Sequence, residues 1–129
     1  MDTAAEVVRA MCDAIEAGDL GRIARSLAGD VVFRGTVGGI DEAVVLHGPD
    51  AAISYMRDVS DTWDDWLFDT KQVLENGDTF VVFWRETSRT RGIEMVIETA
   101  TVFKIRDGKV AEWRGYLDRA DALEAAGLA

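Results

Sequence analysis

WLFDTKQVLENGDTFVVFWRETSRTRGIEMVIETATVFKIRDGKVAEWRGYL, residues 66–117, is the stretch that decides the fold. Segments 66–75, 79–90, 93–106 and 109–117 are rich in β-branched and aromatic residues, the types that fit a pleated, half-buried surface. Asn76-Gly77 and Asp107-Gly108 separate them with dipeptides that tolerate the positive φ of tight hairpin turns, and Gly92 after Thr90-Arg91 marks a third reversal. The spacing predicts a twisted antiparallel meander of four strands.

Working outward, the N-terminal flank is helical. Ala4, Val7, Val8, Met11 and Ile15 recur at helical spacing and stop at Gly18, a suitable left-handed cap. Asp19 can cap a second helix with Leu20, Ile23, Ala24 and Leu27 as its apolar stripe, ended by Gly29 and Asp30. Val31, Val32 and Phe33 read as a short strand, and Gly35 to Gly39 as a loop. Pro49 suits the first turn of a third helix, which carries Ala52, Ile53 and Met56 inward. Beyond the meander, Asp118 can cap a short helix with Asp121 three residues on, closed by Gly127. The whole is one α+β domain over residues 1–129: a cone-shaped barrel whose curved antiparallel sheet, helical hairpin, third helix and short C-terminal helix enclose a pocket.

Composition narrows the partners. With 24 acidic against 14 basic residues, the formal charge of -10 repels phosphate backbones and anionic lipid, so neither nucleic acid nor membrane is expected. No apolar run approaches the roughly 20 residues of a membrane span. The lone Cys12 cannot form an internal disulfide, and the start of the chain has no basic-then-apolar signal, which points to the cytoplasm. One His and one Cys far apart offer no metal-ligand spacing, and no cofactor is expected.

Five stretches resemble the SnoaL-like proteins of the cystatin-like cone superfamily, which also holds ketosteroid isomerase, limonene epoxide hydrolase, polyketide cyclases and nuclear transport factor two. They are residues 101–110, Trp113-Arg114-Gly115-Tyr116-Leu117-Asp118 with 122–127, and at the start Ala14-Ile15-Glu16-Ala17-Gly18-Asp19 with 27–30. The resemblance implies a hollow cone, a dimer and a small-molecule ligand, while one cone serves many chemistries. Limonene epoxide hydrolase keeps an arginine and an aspartate two residues apart on one strand, and a second aspartate after a Trp-Arg pair. Here Arg85 matches the arginine, but Thr87 and Gly115 stand at the acids. Ketosteroid isomerase keeps a base where this chain has Gly35 and an oxyanion-hole acid whose nearest match is Thr101. Neither mechanism transfers residue by residue.

With Arg85 turned inward, alternation places Val81, Phe83, Thr87 and Arg89 beside it. The next strands add Met95, Ile97, Thr99, Thr101 and Phe103, then Trp113, Gly115 and Leu117, while Phe33, Cys12 and Ile15 close the cone. Glu86 falls on the opposite face with Trp84 and Tyr116, a mixed surface that suits a homodimer interface. An inward arginine needs an anion, from Asp41, Glu42, Asp61, Asp64, Asp65 or the ligand. His47, at a helix start, is a candidate general base. Trp63 and Trp66 flank Asp64 and Asp65, either at the pocket mouth or as packing. The catalytic candidates are therefore Arg85 and His47. The expected function is acid–base catalysis without a cofactor (isomerase, cyclase, dehydratase or hydrolase) on a small apolar substrate, or else a non-catalytic ligand-binding or dimeric accessory module.

Overall fold

The computed structural model describes residues 2–129. Helix α1 (Ala4–Ala17) opens on a capping box, in which the Thr3 side chain accepts from the Glu6 N–H and the Glu6 carboxylate from the Thr3 N–H, both at 3.1 Å. It ends at Gly18, whose φ of 65° needs a residue without a Cβ. Helix α2 (Leu20–Ser26) follows at once, capped by Asp19, and completes the hairpin.

Strand β1 (Leu27–Val37) is much longer than the three residues expected, because its inward row of Val31, Phe33 and Gly35 is buried and continues past the glycine. The short β2 (Val45–His47) pairs back onto it, an element the sequence reading missed. Helix α3 (Pro49–Asp61) is followed by the meander of β3 (Asp65–Asn76), β4 (Thr79–Thr90), β5 (Ile93–Arg106) and β6 (Lys109–Tyr116), and then α4 (Arg119–Ala125). All three meander turns are two-residue. Gly77 alone carries the positive φ in the first, Arg91 with Gly92 in the second, and Asp107 with Gly108 in the third.

The sheet runs β2-β1-β6-β5-β4-β3, curved and open. It is mixed, since β1 pairs with β6 in parallel while every other pair is antiparallel. Helices α1 and α3 pack Val8, Met11, Cys12, Ala52 and Met56 against the concave face, onto Val31, Phe80, Val82, Phe103 and Ile105. Helix α4 does not close the cone. It lies on the convex face, where Ala122 and Ala126 pack with Val81, Phe83, Ala100, Val102 and Tyr116.

Candidate ligand site on the concave face

The concave face passes from solid core to an open mouth most clearly along β5. Phe80, Val82 and Trp84 on β4 are no more than 2% exposed, and the next residue on that row, Glu86, is half-buried. On β5 the corresponding row runs from buried Phe103 and Thr101 through half-buried Thr99 to Ile97 and Met95, 40% and 49% exposed. Residues directly opposite on neighbouring strands share a face, so the pairs Trp84 with Thr99 and Glu86 with Ile97 fix these rows. The Trp84 indole N–H donates to Thr101 Oγ1 at 3.0 Å and seals the boundary between core and mouth.

Glu86 is the first polar anchor of the mouth. Its Oε1 accepts from the Trp66 indole N–H at 2.7 Å and its Oε2 from the Thr99 hydroxyl at 3.1 Å. Trp66, Phe68 and Trp84 stack edge to face beside it, with ring centroids 5.0 and 5.6 Å apart. A carboxylate in such surroundings requires hydrogen bonds to both oxygens, and it has them.

The second anchor comes from a loop. The β1–β6 ladder shifts register between Arg34 and Val37, and the chain then turns back, with Gly39 N–H on Thr36 O and Val44 N–H on Asp41 O, both at 2.9 Å. The turn lays Asp41 over Gly35. A Cβ at position 35 would overlap the Asp41 carbonyl and come within 3.1 Å of its carboxyl carbon. At Gly115, likewise, a Cβ would sit 2.6 Å from Thr36 Oγ1. Gly35 is therefore a space that the loop fills, and Gly115 one that Thr36 of β1 fills. Asp41 Oδ1 accepts from the Thr36 N–H at 3.1 Å, and Oδ2 from the Tyr55 hydroxyl at 2.6 Å. Burial, the bond to Asp41 and its negative charge push the Tyr55 phenol up to about 12, so at neutral pH Tyr55 remains a donor. The Tyr55, Phe33, Trp113 and Phe103 rings run in a continuous contact chain, at 5.7, 5.3 and 5.0 Å, an aromatic floor that leads from beside Asp41 across β1 and β6 to the buried Phe103 on β5.

The structure brings some of the expected residues together and separates others. Phe33, Ile97, Thr99, Thr101, Trp113 and Gly115 lie on the concave face, and Ile15 packs into the core beneath it. Cys12 lies apart, in a groove of about 260 Å³ between α1 and β3 that Thr70, Val73 and Phe80 also line, and burial pushes its thiol up to about 11. Leu117, 44% exposed, borders a cavity of about 440 Å³ with Lys71, Phe83 and Arg119.

The row assigned to β4 requires correction. Arg85, Phe83, Thr87 and Arg89 face the convex side: Arg85 stands opposite Asp69 and Glu98, and Arg89 pairs with Glu94 at 2.9 Å and Asp65 at 3.5 Å. Phe83 lies under the Arg119 guanidinium, 3.8 Å away. Alternation misleads here because α4 buries the far side of β4, leaving Val81 and Phe83 as apolar as Phe80 and Val82. Trp84 and Glu86 consequently leave the outer surface. His47, paired with Val32, points away from the core that its neighbour Leu46 packs on, and it is exposed. Asp41, Tyr55 and Glu86 went unrecognised as a set, although reading Arg85 outward would by alternation have turned Glu86 inward.

Solved structures share this architecture. TerC co-crystallized with polyporic acid superposes with a TM-score of 0.78 at 19% identity, over 95% of this chain and 96% of that one. A protein of nuclear transport factor two-like fold from Burkholderia thailandensis gives 0.82 at 18% identity, over 98% of each chain. A limonene-epoxide-hydrolase-like epoxide hydrolase from M. tuberculosis gives 0.70 at 19%, over 95% and 88%. These likenesses concern the fold. Among curated proteins no sequence matches this chain. The model of the SnoaL-like domain, however, matches residues 8–113. That span runs from α1 to Trp113 on β6 and takes in both anchors of the mouth, and by it the chain belongs to the SnoaL-like domain family.

Proposed function

We propose that the concave mouth binds a small, largely apolar molecule and performs cofactor-independent acid–base chemistry on it, with Asp41 as the base. The observation that carries this is the Tyr55–Asp41–Thr36 arrangement: a half-buried carboxylate oriented by two donors, on an aromatic floor, at an opening solvent can reach. It occupies the space at Gly35, where the resemblance to ketosteroid isomerase locates that enzyme's base. Glu86 follows Trp84 on the inward row, one residue before the Thr87 aligned with an epoxide-hydrolase acid, and supplies a second acceptor on the concave face. Arg85 and His47 take no part in this reading. The substrate contacts are Phe33, Ile97, Thr99, Thr101, Trp113 and Gly115.

The test is a turnover screen of cyclic ketones and epoxides against the protein and Asp41→Asn. A general base contributes about 10²–10⁴-fold, so Asp41→Asn loses at least a hundredfold in kcat while affinity stays within about threefold. Full turnover by the variant would contradict the assignment. Binding without turnover by the parent chain would favour the accessory-module reading, for which no specific feature of the mouth speaks. A homodimer through the part of the convex face that α4 leaves open, where Leu67 and Val96 are 46% and 53% exposed, belongs to the same proposal. So does a cytoplasmic setting, which suits the unpaired, buried Cys12.

A further inference from the structure

The charge inside the mouth is one-sided. The two carboxylates on its walls, Asp41 and Glu86, are held by neutral donors only: the Thr36 N–H, the Tyr55 hydroxyl, the Trp66 indole and the Thr99 hydroxyl. Each carboxylate oxygen has a second lone pair left for a ligand. The inward rows of β1, β4, β5 and β6, read from the pairing, carry no Lys, Arg or His. The basic residues of the meander form their ion pairs elsewhere, Lys71 with Asp69, Arg89 with Asp65 and Glu94, and Lys104 with Glu112. Aromatic rings stand beside each carboxylate, Trp66 and Phe68 beside Glu86 and Tyr55 and Phe33 beside Asp41.

We infer that the mouth selects a small organic cation with an apolar body, a protonated amine or quaternary ammonium, over neutral and anionic molecules of the same shape. Three independent features converge on that class. Uncompensated carboxylates in partly desolvated surroundings favour a positive ligand and repel a negative one. Indole and phenol rings attract a cation over their faces while accommodating its apolar part. The chain's formal charge of -10 raises the local concentration of cations at any opening. The inference rests on the concave mouth being the ligand site and adds the ligand's charge to it.

Cyclohexylammonium, cyclohexanol and cyclohexanecarboxylate share a ring and differ in charge, so titrating each at pH 7 by tryptophan fluorescence isolates that term. The cation binds at least about tenfold tighter than the alcohol, and the carboxylate more weakly than either. Asp41→Asn and Glu86→Gln keep the shape and one acceptor at each wall, and in either variant the advantage of the cation over the alcohol falls to about threefold or less. Circular dichroism of both variants checks that they are folded. If one does not fold, the other decides. Alcohol binding equal to or tighter than cation binding would overturn the charge inference while leaving the mouth as the site. No binding by any of the three would overturn both.

Discussion

Gly35 and Tyr55 decide whether Asp41 can act. Gly35→Ala places a methyl group into the Asp41 backbone, so the loop must move and the carboxylate leaves the floor. We expect about 1–3 kcal/mol of destabilisation by urea unfolding, together with loss of ligand binding. Gly29→Ala, where a Cβ meets nothing within 4 Å, serves as control and should stay within about 0.5 kcal/mol. Tyr55 gives a pH signature. Its phenol is raised from the usual 10.0 to about 12, so the folded state holds a proton that the unfolded state releases first. The associated stability is complete below pH 10 and is lost as pH rises towards 12. Tyr55→Phe removes that loss between pH 10 and 12, which unfolding midpoints measured across the range would reveal. It also frees Asp41 Oδ2 of its one side-chain donor among the described residues, so turnover falls even though no titrating group of the reaction has been removed.

At the scale of elements, β4 carries the fold and the site on one row. Trp84 is buried and bonded to the buried Thr101 hydroxyl; Trp84→Phe leaves that hydroxyl without its partner and costs about 1–3 kcal/mol. Deeper on the neighbouring strand, Phe103→Ala costs about 3–5 kcal/mol by the same denaturant measurement, because its side chain is fully enclosed by two helices and the sheet. The strands and their turns were legible in the sequence. Asn76-Gly77, Asp107-Gly108 and the apolar runs between them admit little else; the third hairpin closes at Asp107-Gly108, and the first at Gly77-Asp78, one residue on from its dipeptide. The rows of β5 and β6 were legible too, since Thr99, Thr101, Trp113 and Gly115 alternate with charged residues over part of their length. The row of β4 was not, because both its faces are buried, one by α1 and α3 and the other by α4. Asp41 was legible only as a member of a list. Its approach to Gly35 depends on a register shift in β1 and a turn back through Gly39, long-range geometry that no local pattern encodes.

At the scale of the whole molecule, the helices divide the labour of the two sheet faces. Helices α1 and α3 fill the narrow end of the concave side and leave the mouth open, and α4 takes up half of the convex side. A second copy would have to dock beside α4, so static light scattering at micromolar concentration tests the dimer, and a monomeric mass would remove it. Three spaces compete for a small ligand: the mouth, the groove beside Cys12 and the cavity under Arg119. Heteronuclear NMR titration with cyclohexylammonium and cyclohexanol separates them in one experiment. If the mouth is the site, the indole N–H signals of Trp66 and Trp113 and the amides of Thr99 and Gly115 shift first and saturate together, with Cys12, Thr70, Lys71 and Arg119 left in place. Shifts confined to Cys12 and Thr70, or to Lys71 and Arg119, would contradict the account.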